Sequence, residues 1–397
     1  MIIGMTVENY KSIERATLDL KGMNALIGKN GAGKTTFISI LNLLKHLAAG
    51  DKIEQAVENI APLGIDLFNF NSRSSFAKFS LTVQADSSVY LFSFTINYIG
   101  TRGRSLVINE ESLEKQLDGK KELVYRRNNE SDTLEVSQGE HFAELPLKIE
   151  SNKLALSSYS NEDARIVADT LSAYTIIWLD TVRSENEGYS FVRGDNPDLS
   201  TIDGVAVDLY KRDRQKYDEA IKVIKKIIPD FVEPGILNLG IALQGHQPSD
   251  REGAEKKTGN YAVTWSDNAY SKNVTRLSLS GGNARVIFLI LSLFNSRMKS
   301  CFVAEEIENG LHASRIGKLI DELRTIIKNQ KIQLIFTTHN YQLLEKLLPD
   351  EVVFCQLGAE GSTYKRISES EEYRLIKEQL GSEPTSSEVV NSGLLYD

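Results

Sequence analysis

The chain has 397 residues, 41% hydrophobic and 25% charged, with 46 basic against 54 acidic side chains and a formal net charge of −8. Such a length suggests two or three domains with ample core, and the acidic balance excludes a broadly basic nucleic-acid module, so any DNA contact has to be local. No run of 18 apolar residues predicts a membrane span, Met1-Ile2-Ile3-Gly4-Met5 lacks the basic-then-apolar order of a secretory leader, and Cys301 and Cys355 in apolar runs read as buried reduced thiols, which together predict a cytoplasmic protein.

Residues 1–20 predict strand, turn and strand around Asn9-Tyr10-Lys11-Ser12. Ala25-Leu26-Ile27 then leads into Gly28-Lys29-Asn30-Gly31-Ala32-Gly33-Lys34-Thr35-Thr36, a complete G-x-x-x-x-G-K-[ST] pattern, and Phe37, Ile40, Leu41, Leu44 and Leu47 give the amphipathic helix that must follow it. The glycines let the backbone curl so that its N–H groups face phosphate oxygens, and the helix adds its positive end. Gly28, Asn30, Gly31, Gly33, Lys34, Thr35 and Thr36 are therefore candidate nucleotide-binding residues. Lys34 is expected to reach the β- and γ-phosphates and the Thr35 hydroxyl to hold Mg²⁺.

Residues 65–99 predict antiparallel strands, for example Phe79–Val83 and Tyr90–Ile96. Between 100 and 200 the pattern is weaker and more polar. A helix is expected over 207–228, with Pro229 ending it, and 245–260 is a polar, disorder-prone stretch. After 262, strands at 301–304 and 333–337 alternate with helices at 283–296 and 314–328, which suggests parallel strands with crossover helices. There is no internal repeat and no long heptad run.

Three segments add chemistry. Ser280-Gly281-Gly282 stands before an apolar helix, where a capping hydroxyl and exposed N–H groups make a second anion site. Cys301-Phe302-Val303-Ala304 is an apolar strand ending in Glu305 and Glu306; alternating geometry lets one carboxylate serve Mg²⁺ and the other polarise a water. Leu334 to Thr338 is a strand ending in His339, placed for a polar contact to a γ-phosphate or an attacking water.

Together these segments resemble the ATP-binding-cassette superfamily, most of all its soluble branch of RecF, SMC-type heads and OLD-like ATPases. Gly28–Thr35 corresponds to Walker A, Leu279–Asn283 to the signature loop, Val303–Glu306 to Walker B, Glu308–His312 to the D-loop region and His339 to the switch histidine. Val7–Ile13 also matches that branch, and Ile176–Asp180 leading to Arg183 fits loosely. The resemblance implies an α/β P-loop NTPase with a mixed sheet, an antiparallel β subdomain and a central inserted subdomain. The expected division is 1–100, 101–261 and 262–397. It further implies ATP and Mg²⁺ as cofactors and head-to-tail pairing of two copies, with Ser280, Gly281 and Gly282 of one completing the site of the other. Glu305 takes the metal-associated role, Glu306 that of general base, and His339 assists. Where the family carries Asp, this chain has Glu305; the extra methylene carries the carboxylate about 1.5 Å further and predicts slow hydrolysis. Gln84 lies in the neighbourhood of the glutamine loop, in a strand-like setting.

In size and motif content the chain also resembles ATPase subunits of bacterial anti-phage systems, which control a separate nuclease or toxin. The stretch after His339 lacks an Asp-x-Asp pair, so an OLD-type nuclease domain is not expected within it and the effector is expected on a second protein. The alternative is a RecF- or SMC-like DNA-repair ATPase, to which the basic clusters at 211–216 and 222–226 would contribute. No membrane partner is expected.

Overall fold

The computed structural model describes residues 1–58, 60–61, 64–69, 75–85, 87–99, 105–117, 119–128, 133–138, 141–146, 149–177, 190–193, 196–239, 260–267, 273–274, 279–298 and 301–393. They form two compact units: 1–174 with 333–397, and 175–332.

The first unit opens with β1 (Ile2–Tyr10) and β2 (Ile13–Asp19), a hairpin whose turn places Asn9 and Lys11 at positive φ. β3 (Met23–Ile27), α1 (Lys34–Ala48) and α2 (Ile53–Val57) follow. Then come β4 (Phe76–Ala85), β5 (Ser88–Ile99), β6 (Ser105–Leu117), β7 (Lys120–Asn128), β8 (Thr133–Gln138) and β9 (His141–Pro146). With the first hairpin they make an eight-stranded antiparallel sheet in the order β2-β1-β4-β5-β6-β7-β8-β9. Period-two alternation drives it: Phe79, Leu81 and Val83 of β4 and Tyr90, Phe92 and Phe94 of β5 point into the core, where the Phe79 and Phe94 rings stack at 4.9 Å.

β6, β7 and β8 bury Leu113, Tyr125, Leu134 and Val136 while their neighbours stay partly or fully exposed, which makes these strands read as weak and polar in sequence. β5 and β6 pair along their length, and the compact units part at 174/175 and 332/333. On β6 the buried Glu111 carboxylate accepts hydrogen bonds from Tyr125 (2.7 Å) and from the backbone N–H groups of Ala155 (2.6 Å) and Leu156 (2.8 Å). Arg127 donates to the Lys153 and Glu150 carbonyls. The 150–156 stretch is thereby clamped to the sheet ahead of α3 (Glu162–Ser172).

After β10 (Tyr174–Ile177), the second unit holds β11 (Ser190–Arg193), α4 (Ile202–Arg212), α5 (Arg214–Ile227), β12 (Phe231–Asn238), β13 (Asn260–Asp267), β14 (Asn273–Val274), α6 (Gly281–Phe294), β15 (Cys301–Ala304) and α7 (Ala313–Gln330). β13 lies between β11 and β12 in an antiparallel sheet, and β14 also pairs with it. The single helix expected over 207–228 is two helices. Asp213 leaves helical geometry (φ −144°, ψ 82°) and its carboxylate caps α5 by accepting the Lys216 N–H at 3.0 Å. The Arg214 guanidinium sits over the Tyr210 and Tyr217 rings and fixes the break. Asp208, buried on α4, accepts from Arg212 and Arg297 at 2.9 Å each and from Asn295 at 3.1 Å.

The chain returns to the first unit with β16 (Gln333–Thr338), α8 (Tyr341–Leu344), β17 (Val352–Gly358), β18 (Gly361–Arg366), α9 (Glu371–Leu380) and α10 (Ser386–Asn391). β3 runs parallel to β16 on one side and β17 on the other, and β18 pairs antiparallel with β17, giving the mixed sheet. Every residue of β3 and β16 is buried, as parallel strands covered on both faces require. Among the described residues no helix is long and apolar enough to cross a membrane.

Candidate nucleotide-binding site

Residues 28–33 join β3 to α1. Gly28 lies against β17 so closely that a Cβ there would stand 2.1 Å from the Cys355 carbonyl oxygen. Gly31 (φ 81°) and Gly33 (φ 101°) supply the left-handed turns that curl the loop, and Gly33 is the N-cap of α1. The Lys34 side chain is buried, 6% exposed, and its amine donates to the carbonyls of Gly28 (2.7 Å) and Lys29 (2.9 Å). Lys29, Asn30, Gly31 and Thr35 are exposed.

The first intrahelical bond runs from Phe37 N–H to Gly33 O at 2.9 Å, so the N–H groups before it point out of the helix end, where an anion binds. The Thr36 hydroxyl faces Ser12 at 3.3 Å, which leaves its backbone N–H as the group directed at the loop. Cys355 forms the wall beside Lys34; burial pushes its thiol up to about 12, with Lys34 pulling the other way, so it stands neutral. β16 registers Thr338 against Ile27, bringing the exposed His339 alongside Gly28. Gln84 is an exposed β4 residue opposite Val89 near the hairpin end.

The other candidate residues belong to the second unit. Ser280 caps α6 by accepting the Asn283 N–H at 3.3 Å. Gly282 packs on the Gly310 backbone, where a Cβ would lie 2.0 Å from the Gly310 oxygen. That contact seats the start of α6 on the loop that leaves β15. Glu305 and Glu306 follow β15 directly, both half-buried. Glu306 has φ 46°, a left-handed backbone that costs a non-glycine residue about 1 kcal/mol. Its carboxylate accepts from Asn309 Nδ2 at 3.2 Å and its carbonyl from Asn309 N–H at 3.0 Å. Asn309 was not legible as a partner of Glu306 from sequence, because the turn that joins them depends on that backbone. The 178–189 stretch, with Asp180 and Arg183, lies outside the described residues, as does Leu277-Ser278.

A family model described as "AAA domain, putative AbiEii toxin, Type IV TA system" matches residues 23–345. The chain belongs to this AAA family. Among solved structures it is similar to an Smc head bound to the C-winged helix domain of ScpA, at 12% identity over 92% of this chain and 97% of that one, with a TM-score of 0.56. It is likewise similar to an Smc head domain with an extended coiled coil bound to the C-terminal domain of ScpA, derived from Pyrococcus furiosus, at 10% identity over 96% and 99% with a TM-score of 0.52. At such identities the likeness shows a shared fold. A comparison with curated proteins gave no match.

In this AAA-family chain the residues around the loop fit a nucleoside triphosphate with Mg²⁺: a glycine loop curled through left-handed Gly31 and Gly33, a buried lysine amine, and an exposed Thr35 on the first helical turn. In the basic clusters of α4 and α5, Arg212 pairs with Asp208, Arg214 with Asp218 (3.0 Å) and Glu233 (3.5 Å), and Lys226 with Glu322 (2.8 Å).

Proposed function

We propose that this chain is a Mg²⁺-dependent ATPase of cassette type whose ATP-bound state pairs two copies and controls a separate effector, a nuclease or toxin, in anti-phage defence. The observation that carries the nucleotide part is Lys34: a buried amine held at the floor of a glycine loop, at the positive end of α1. When bound, Mg²⁺ neutralises charge developing on the transferring phosphoryl group. Lys34 and the loop N–H groups would hold the phosphates and Thr35 the metal, while the family resemblance gives Glu305 a metal-associated role, Glu306 that of general base and His339 an assisting one. Ser280, Gly281 and Gly282 of the second copy close the site. The defence part draws on the family's description, which names a toxin of a type IV TA system; the separate effector is carried by the sequence resemblance alone. The alternative, a RecF- or SMC-like ATPase acting on DNA, draws less, since acidic Asp213, Asp218 and Glu219 interrupt the basic helix faces and the chain is acidic overall.

Thermal melts with ATP and Mg²⁺ test the core of this reading. Ligand at a hundred times its Kd stabilises the wild type by about 2.7 kcal/mol, a rise in Tm of about 3 °C. Lys34→Met, which keeps the aliphatic stem, should show no rise; an equal rise would sink the site assignment. Glu306→Gln should accumulate an ATP-bound dimer by light scattering, and unchanged turnover in that variant would remove Glu306 as the base.

A further inference from the structure

The phosphate-binding loop is supported by residues outside the 23–345 stretch that the family model matches. Tyr364 of β18 donates its hydroxyl hydrogen to the Gly33 carbonyl at 2.8 Å, the same oxygen that accepts the Phe37 N–H. In a trans peptide the C=O and the following N–H point in opposite directions. A Gly33 oxygen held from two sides therefore aims the Lys34 N–H out of the N-terminal end of α1, into the position an anion takes. Ser362, two residues earlier on the same face of β18, closes on the same glycine: a Cβ at Gly33 would lie 2.5 Å from Ser362 Oγ and 2.8 Å from the Tyr364 oxygen. Ser362 Oγ donates to Ser12 Oγ at 2.8 Å, and Ser12 Oγ lies 3.3 Å from Thr36 Oγ1. The Tyr364 ring packs on Phe37, with centroids 5.5 Å apart.

We propose that Tyr364 is a positioning residue of the nucleotide site, orienting the Gly33–Lys34 peptide toward bound phosphate, with the Ser362–Ser12–Thr36 hydroxyls holding the far side of the same helical turn. The inference rests on the nucleotide-binding reading above. It makes β18, distant in sequence from the phosphate loop, part of that loop's working structure. Tyr10 offers a control: it too is buried, and its hydroxyl bonds Ser39 Oγ at 2.9 Å, which donates to the Thr36 carbonyl and makes no contact with the Gly33–Lys34 peptide carbonyl.

The test uses the full-length chain and its Tyr364→Phe and Tyr10→Phe variants, titrated calorimetrically with Mg·ATP and Mg·ADP and melted without nucleotide. Each variant loses one buried phenol hydrogen bond, so the two should melt within a few degrees of each other. Tyr364→Phe should bind both nucleotides about five- to tenfold more weakly, the worth of one hydrogen bond, while Tyr10→Phe stays within about twofold of wild type. Wild-type affinity in Tyr364→Phe, or an equal loss in Tyr10→Phe, overturns the proposal. Absence of binding by the wild type itself overturns the nucleotide reading, and this inference with it.

Discussion

Gly28→Ala adds one methyl group where the fold has no room for it. Its Cβ would stand 2.1 Å from the Cys355 oxygen, 3.1 Å from the Cys355 carbonyl carbon and 3.2 Å from Ala32 Cβ. Carbon–oxygen contacts settle near 3.3 Å, so the overlap with the carbonyl is about 1 Å. Two of the three atoms are backbone of β17, and Phe354, the residue before Cys355, pairs with Ile27, the residue before Gly28. Relief requires β3 and β17 to part at their ends or the loop to swing away. Overpacking costs about 1–3 kcal/mol, and a strained ladder bond adds about 1 kcal/mol, so the expected loss is about 3 kcal/mol. Gly31 makes the contrast. Its φ of 81° favours glycine, yet a Cβ there meets nothing within 4 Å. Gly31→Ala should therefore cost only the left-handed penalty of about 1 kcal/mol. Urea unfolding without nucleotide, followed by circular dichroism, separates the two: with slopes of about 1–3 kcal/mol/M, the Gly28→Ala midpoint should fall by about 1 M or more. The reasoning fails if Gly28→Ala unfolds with the wild type, or if Gly31→Ala proves the more costly.

Glu111→Gln should destabilise by about 3 kcal/mol in the same assay. Every hydrogen-bond partner of Glu111 is a donor, so one end of the amide must face an N–H or O–H whichever way it is turned. Asp163 provides a pH test. Burial pushes its carboxyl up, but hydrogen bonds from Lys115 and Tyr90 outweigh this and hold it below the ordinary range. A depressed acid stabilises the fold above its unfolded value and loses that contribution as pH falls through the folded one. The stability gap between wild type and Asp163→Asn should be flat from pH 5 to 7 and close below about pH 4; a gap that widened in acid would contradict the assignment.

The phosphate loop, its helix and the apolar strand of the second unit were legible in the sequence because each obeys a local rule: a glycine pattern, a 3.6-residue period, an apolar run ending in acids. The β6–β9 strands were less visible because one face is open to solvent and their polar residues dilute the alternation. The break at Asp213 was hidden for a related reason: the apolar positions continue through it, and only the cap and the arginine stacked on two tyrosines show that the helix restarts.

The sequence by itself determined that a phosphate-binding loop exists and which residue types line it, since chain neighbours alone set the curl of 28–33 and the polarity of α1. It could not assign different duties to the glycines. Gly31 serves backbone conformation, Gly28 serves contact with β17, and Gly33 serves both, because β18 brings Ser362 and Tyr364 against it. Those contacts join residues more than 300 positions apart, and no local period encodes them. Only the pairing of β3 with β17, and of β17 with β18, decides which atoms stand behind the loop.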